Sequence, residues 1–275
     1  MIEVTEKVIL PIGIDVDGVR YREVIIDEMN GIDEENLSSR KLQNNGGKAI
    51  TVLLRRCIQQ ITGLVDKKDN KMSLISEDIV RNMYIADRDY LVVCIKTLSN
   101  TSEIFTELKC GSCDGDLEHI IDFKDMDVYE WDEDLDAYLE IELPRGFYDN
   151  ENDRYCNIVK WKFPTGKVQE AMSSTEPSKL STMMISSGII EVKDLGYVPS
   201  FEQVRRLSLS DRNVFANAIL DNSVGVETKV EIECRFCGHI NESEVDLVGF
   251  TSSARAKQKT AMKNGKRGRK LRKKQ

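Results

Sequence analysis

Histidine is nearly absent from this chain: His119 and His239 are the only two in 275 residues. General acid–base chemistry near neutral pH draws on histidine more than on any other side chain, so its candidates here are few. Also missing are a Gly-rich phosphate loop, a Gly-x-Ser-x-Gly elbow and a His-Glu-x-x-His helix, the patterns that place phosphate-binding amides, a serine nucleophile or a catalytic zinc. No apolar run reaches the eighteen residues that read as a membrane span. The opening residues Met1 to Glu6 carry neither the basic nor the apolar region of a signal peptide. These absences predict a soluble, intracellular chain with no membrane segment, no small-molecule substrate and no enzymatic activity.

What is present divides by charge. The net charge of -8 conceals two opposite regions. Arg255 to Lys274 hold eleven Lys or Arg and no acid, which leaves 28 basic against 47 acidic side chains in residues 1–250, a net of -19. A body so acidic repels nucleic acid, whereas the tail from Thr251 to Gln275 attracts phosphate or an acidic protein surface. Lys266, Arg267, Arg269, Lys270, Arg272, Lys273 and Lys274 are its candidate partner- or phosphate-binding residues. No aromatic residue is interleaved among them, so base stacking adds no grip.

Seven cysteines is an odd number. Cys57, Cys94 and Cys156 sit among apolar residues and read as buried thiols. The other four form two Cys-x-x-Cys turns, Cys110-Gly-Ser-Cys113 and Cys234-Arg-Phe-Cys237. In a reducing compartment such a pair binds metal or does redox work more often than it forms a structural disulfide.

The two turns belong to a longer correspondence. Asp87-Arg-Asp-Tyr-Leu-Val-Val-Cys-Ile reaches Cys110 after 23 positions, and Asp211-Arg-Asn-Val-Phe-Ala-Asn-Ala-Ile reaches Cys234 after the same 23. The offset is 124 residues without a gap, and it also aligns Glu103 with Glu227, Leu108 with Ile232 and Asp122 with Asp246. Upstream, Leu10-Pro-Ile-Gly13 faces Leu143-Pro-Arg-Gly146, and Asn30-Gly31 faces Thr165-Gly166. The chain is therefore expected to be internally duplicated, with a first lobe over 1–137, a second over 138–250 and the basic tail over 251–275.

Pattern predicts α+β lobes, each of strand hairpin, helices and a closing hairpin that carries a Cys-x-x-Cys knuckle. In the first, alternating Val8, Leu10, Val19, Tyr21, Val24 and Ile26 flank a turn at Asp15 to Gly18. Helices follow over Ala49 to Leu64, from Ser76 as N-cap to Met83, and from Asp87 with an apolar stripe of Tyr90, Leu91, Cys94, Ile95 and Leu98. Strands Ile104 to Cys110 and His119 to Phe123 close it. In the second, strands are expected near 140–143 and 155–163, helices over 166–173, 179–190, 201–207 and 211–220, and a hairpin from Val226 to Leu247. The acidic stretch Asp125 to Glu142, with Trp131 and Tyr138 inside it, reads either as a solvated linker or edge or as a partner anchor. In the repeated Asp-Arg pair the acid favours the helix's first turn, and the Arg is expected to tie it to a neighbouring strand.

A Cys-x-x-Cys pair at a strand-turn-strand corner is half of a tetrahedral thiolate site, and two such knuckles supply the four ligands of structural zinc. Cys110, Cys113, Cys234 and Cys237 are thus expected to hold one shared Zn²⁺, closed to substrate. Three alternatives stand beside this. A redox pair wants a thiolate at a helix N-terminus; separate ions would each recruit a histidine, His119 or His239; and a degenerate knuckle would bind nothing.

The repeated unit of Asp-Arg helix, 23 positions and Cys-x-x-Cys knuckle, together with the opening Leu-Pro-x-Gly hairpin at Leu10 to Gly13, resembles baseplate proteins of contractile-tailed bacteriophages. It is most similar to the T4-type baseplate hub and tail-assembly family. The resemblance implies a non-enzymatic structural or assembly component of a phage tail, made in the host cytoplasm and located in the virion baseplate. Its partners would be other baseplate or tail proteins. The alternative from the residues alone is a nucleic-acid-binding zinc protein that acts through its basic tail.

Overall fold

The computed structural model of the protein describes residues 5–65, 75–132, 136–245 and 247. It is a mixed α+β structure of small antiparallel sheets and short helices. Strands β1 (Thr5–Val16) and β2 (Val19–Asp27) pair as a hairpin across Asp17 and Gly18. Both turn residues have positive φ, 51° and 81°, as a two-residue type I′ connection demands, and Asp-Gly is suited to it. The register shifts between Ile9 and Ile14, where Pro11 removes one ladder donor and Gly13 bends the strand at φ 108°.

Helices α1 (Gly31–Leu37), α2 (Arg40–Gln43) and α3 (Gly46–Cys57) follow. Asn30 starts α1 with a capping box to Asp33, and Asn45 caps α3. Helix α3 buries Ala49, Ile50, Leu53, Leu54 and Cys57 on one face and leaves Val52 and Arg55 outside. It runs directly into β3 (Ile58–Ile61), which pairs with β2. The expected helix over 49–64 is thus a helix followed by a strand. The junction lacks a Gly or Pro breaker, and Ile58 and Ile61 suit either period. Ser76 caps α4 (Glu77–Asn82) as expected, and α5 (Ile85–Leu98) lies across β1. Its buried set extends beyond the expected stripe to Val92, Val93 and Lys96. Strands β4 (Glu103–Lys109) and β5 (Asp116–Asp122) form the hairpin that carries Cys110 and Cys113.

Strand β6 (Val128–Tyr129) comes next, then the hairpin β7 (Tyr138–Asp149) and β8 (Arg154–Lys162). Helices α6 (Gly166–Met172) and α7 (Leu180–Gly188) lead into β9 (Ile189–Val192), which pairs with β8. Again the expected helix, 179–190, gives its last residues to a strand. Helices α8 (Phe201–Arg205) and α9 (Leu209–Asp221) precede β10 (Gly225–Val226), and β11 (Lys229–Glu233) with β12 (Ile240–Glu244) close the described chain.

The two three-stranded sheets, β1-β2-β3 and β7-β8-β9, share their strand order. Their irregularities also match in place: β7 shifts register between Glu142 and Phe147 around Pro144 and Gly146, and the third strand of each sheet shifts once against the second. Ser200 caps α8 as Ser76 caps α4.

Two large apolar clusters lie behind these sheets, and each draws on both parts of the chain. One gathers Leu10, Ile26, Leu53, Leu91 and Ile95 with Val245 and Leu247. The other gathers Trp161, Val159, Ile185 and Phe215 with Ile12 and Tyr84. The stretch after Asp125 is not a free linker. Strand β6 pairs with β10, the Trp131 N–H donates to the Pro11 carbonyl, and its ring meets Phe163 edge-on at 5.0 Å. Trp131 therefore anchors within its own chain.

Candidate metal centre

Each knuckle is a tight turn at a hairpin end, and the two are built alike bond for bond. In the first, the N–H of Cys110 donates to Gly115 O (3.0 Å) and the N–H of Asp114 to Cys110 O (3.0 Å); in the second, Cys234 donates to His239 O and Gly238 to Cys234 O, both at 2.8 Å. The residue after the second cysteine has positive φ in both, Asp114 at 54° and Gly238 at 71°. Asp and Gly both tolerate that conformation, which lets the chain reverse immediately beyond the ligand. The first cysteine of each pair is buried, Cys110 and Cys234 both at 1% exposure, while Cys113 and Cys237 face outward. Behind them Leu117 and Ile232 form a small apolar floor with the two buried cysteines, flanked by Leu108 and Val230.

The hairpins bring all four sulfurs to one point. The Sγ atoms of Cys110 and Cys237 lie 3.7 Å apart, as do those of Cys113 and Cys234. All four lie within 4.8 Å of one another. A tetrahedral thiolate site with metal–sulfur bonds of about 2.3 Å has sulfur–sulfur edges of about 3.8 Å. The close pairs cross between knuckles, so the geometry is that of one shared site. Among the described residues neither histidine joins the four-cysteine group; His119 instead lines an open cleft with Asp122, Asp125 and Glu227.

The backbone supplies positive potential to this cluster. The N–H of Ser112 points at the Cys110 sulfur and that of Phe236 at the Cys234 sulfur, each at 3.4 Å. Chiefly through the Ser112 amide, the Cys110 thiol is brought down to about 6. At Cys113 the N–H of Gly115 favours the thiolate, yet the sulfurs of Cys237, Cys234 and Cys110 oppose it more strongly and push the group up to about 12. The backbone therefore favours the thiolate at Cys110, while the crowded sulfurs oppose it at Cys113. A divalent cation is what lets all four lose their protons together. The donor set is all sulfur, suits a soft or borderline metal ion and leaves no open coordination position once filled.

Other candidate residues fall elsewhere. Cys57 and Cys156 are buried in the apolar clusters and Cys94 is packed beside the first; burial raises Cys57 to about 12 and Cys94 to about 11. Asp87 and Arg88 are fully buried, but the division of labour differs from the expected one. It is Asp87 that holds a strand, accepting the N–H groups of Ile12 (2.8 Å) and Gly13 (3.0 Å). Arg88 reaches helices instead, donating to Val80 O, Gly47 O, Thr51 Oγ1 and Gln169 Oε1. Asp211 repeats the strand contact with Arg145 and Gly146. Arg212 repeats the reach toward a helix, onto Ser181 and Thr182. The basic residues from Lys266 to Lys274 and the pairing of Asp122 with Asp246 lie outside the described residues. No helix among the described residues is long and apolar enough to cross a membrane. Compared with protein-family models, curated proteins and solved structures, the chain matches none.

Proposed function

We propose that this chain is a non-enzymatic structural or assembly component of a bacteriophage tail baseplate, in its hub region, built as an internal duplication and stapled by one zinc ion. The observation that carries the metal staple in this reading is the meeting of four cysteines from hairpins 124 residues apart. Zinc fits an all-thiolate, redox-silent, tetrahedral cage, and its binding free energy would be free energy of holding the hairpins together. The duplication is supported by the matched bulges, the paired helix caps, and the two aspartates that hold Leu-Pro-x-Gly backbones.

Two features favour scaffold over enzyme. A closed four-thiolate site offers substrate no coordination position, and the repeated Asp-Arg pair is engaged in packing one element to the next. The baseplate assignment rests on the resemblance of the repeated unit. Its outward faces would bind other tail proteins, with the basic tail as an added contact for an acidic neighbour. Mass spectrometry of purified virions and of tail-assembly intermediates tests this reading. Recovery of the chain in either supports it, and absence from both overturns it.

A further inference from the structure

The knuckles are not held together by their sulfurs alone. Asn241, at the start of β12 and 7% exposed, uses its whole amide group between them. Its Nδ2 donates within its own hairpin to Ile232 O (3.2 Å) and His239 O (3.1 Å). Its Oδ1 accepts the N–H of Gly111 (2.9 Å), the residue that follows Cys110 in the other knuckle. A side chain fixed by two bonds on one hairpin thus grips the backbone of the other, one residue from a buried ligand.

Two neighbours reach the same way. The ring of Phe236 lies over Gly115 so closely that a Cβ there would come within 2.7 Å of it. The Arg235 guanidinium stacks on that ring at 4.8 Å and extends toward the Asp116 carbonyl. The 124-residue correspondence places Leu117 opposite Asn241 and Ser112 opposite Phe236. The first knuckle therefore has no amide with which to return the grip. One hairpin is thus the holder and the other the held.

We propose that Asn241 is a metal-independent clasp, a positioning residue that sets Gly111 and hence Cys110 in place before any ion arrives. The ion then closes a preformed cage rather than gathering two separate hairpins. This deepens the zinc reading above and rests on it for the identity of the ion. An amide serves both hairpins at once, donating to the Ile232 and His239 carbonyls and accepting from Gly111, whereas a carboxylate could make only the last bond. Residues that orient metal ligands typically alter metal affinity by about 10- to 100-fold when replaced.

The test compares the full chain with Asn241→Leu, which installs the residue found at position 117, and with Asn241→Asp, which keeps the acceptor for Gly111. Cobalt(II) is titrated in competition with a chromophoric chelator, and amide exchange at Gly111 is followed in the metal-free protein. The expected result for Asn241→Leu is about 10- to 100-fold weaker cobalt binding with an unchanged thiolate-to-cobalt absorption band at saturation. Protection at Gly111 should also be lost in the metal-free variant and be retained in Asn241→Asp. Affinity within twofold of the parent, or Gly111 unprotected in the metal-free parent, overturns the clasp. If Asn241→Leu does not fold, Asn241→Ala decides: loss of Gly111 protection in the metal-free variant upholds the clasp, and protection as in the metal-free parent overturns it. Should the parent bind no metal, the zinc reading fails while Gly111 protection still decides the clasp.

Discussion

Asp87 and Asp211 stand 124 positions apart, are both fully buried, and each accepts two backbone N–H groups from a Leu-Pro-x-Gly bulge. Their carboxyls nevertheless move in opposite directions. Asp211 gains a third side of support, the Ser208 hydroxyl at 2.6 Å, and its several bonds outweigh burial and hold it below the ordinary 3.8. At the offset of 124 residues, Tyr84 stands where Ser208 does, and its hydroxyl goes to Asp15 instead. Burial outweighs the Ile12 and Gly13 amides and the charge of Arg22, and Asp87 is raised to about 7.

The signs make a pH prediction. A carboxyl with a raised folded-state pKa binds its proton more tightly in the folded chain, so its contribution to stability declines as pH rises from about 4 to about 7. The stability advantage of the parent over Asp87→Asn should therefore shrink across that window, by on the order of a few kcal/mol. For Asp211 the sense reverses, and the advantage over Asp211→Asn should fall as pH drops below the ordinary carboxylate value. Urea unfolding at a series of pH values measures both. Parallel profiles for the two variants would contradict the assignment.

Arg88 and Arg212 should differ as sharply in tolerance. Arg88 places four donor contacts of 2.8 to 2.9 Å onto two carbonyls, a hydroxyl and an amide in a fully buried pocket. A lysine cannot reproduce that fork, and unmet buried acceptors are costly, so Arg88→Lys should destabilise by about 3 kcal/mol or more. Among the described residues Arg212 meets two hydroxyls at 3.1 Å, and Arg212→Lys should cost under about 1 kcal/mol. Denaturation midpoints at constant slope give both values.

Where α3 meets α6 the limit is steric. A Cβ on Gly47 would lie 2.6 Å from the Glu170 Cα and N, which are backbone and cannot turn aside. Gly47→Ala should cost about 1–3 kcal/mol by overpacking, despite alanine's better helix propensity. Gly31, in the first turn of α1, has open space around its Cβ position. Gly31→Ala should leave stability unchanged or raise it by up to about 1 kcal/mol. Equal gains in both would mean that propensity rather than contact governs.

Local signals were legible in the sequence. Asp17-Gly18 is a hairpin turn, Ser76 and Ser200 are caps, and the two cysteine pairs fall at hairpin ends. What escaped reading depends on residues far away. Strand β3 continues straight from its helix without a breaker and β9 follows a lone Gly188, and only pairing with β2 and β8 makes them strands. Arg88 owes part of its burial to α6, some eighty residues later, and Trp131 owes its place to Pro11 and Phe163. Asn241 gives no sign of its contact with Gly111 except as a polar residue where the correspondence has Leu117.

The cysteine cluster makes the most direct prediction. Elemental analysis of the purified chain should find one zinc per molecule, because the close sulfur pairs, Cys110 with Cys237 and Cys113 with Cys234, each span both knuckles. Losing any one ligand breaks a site shared by both hairpins, so Cys110→Ser and Cys234→Ser should remove the ion alike. Cys57→Ser and Cys156→Ser should retain it, since those thiols lie in the apolar clusters. Chelation should lower the melting temperature by removing the stabilisation that the bound ion supplies, which grows with the logarithm of free ion over Kd and is about 2.7 kcal/mol at a hundredfold excess. The loss should register first at the hairpins, whose apolar floor is small, and later at the sheets. Two ions per chain would indicate separate sites completed by histidine, and none would remove the staple. Retention of zinc by Cys234→Ser but not by Cys110→Ser would place the ion in the first knuckle alone.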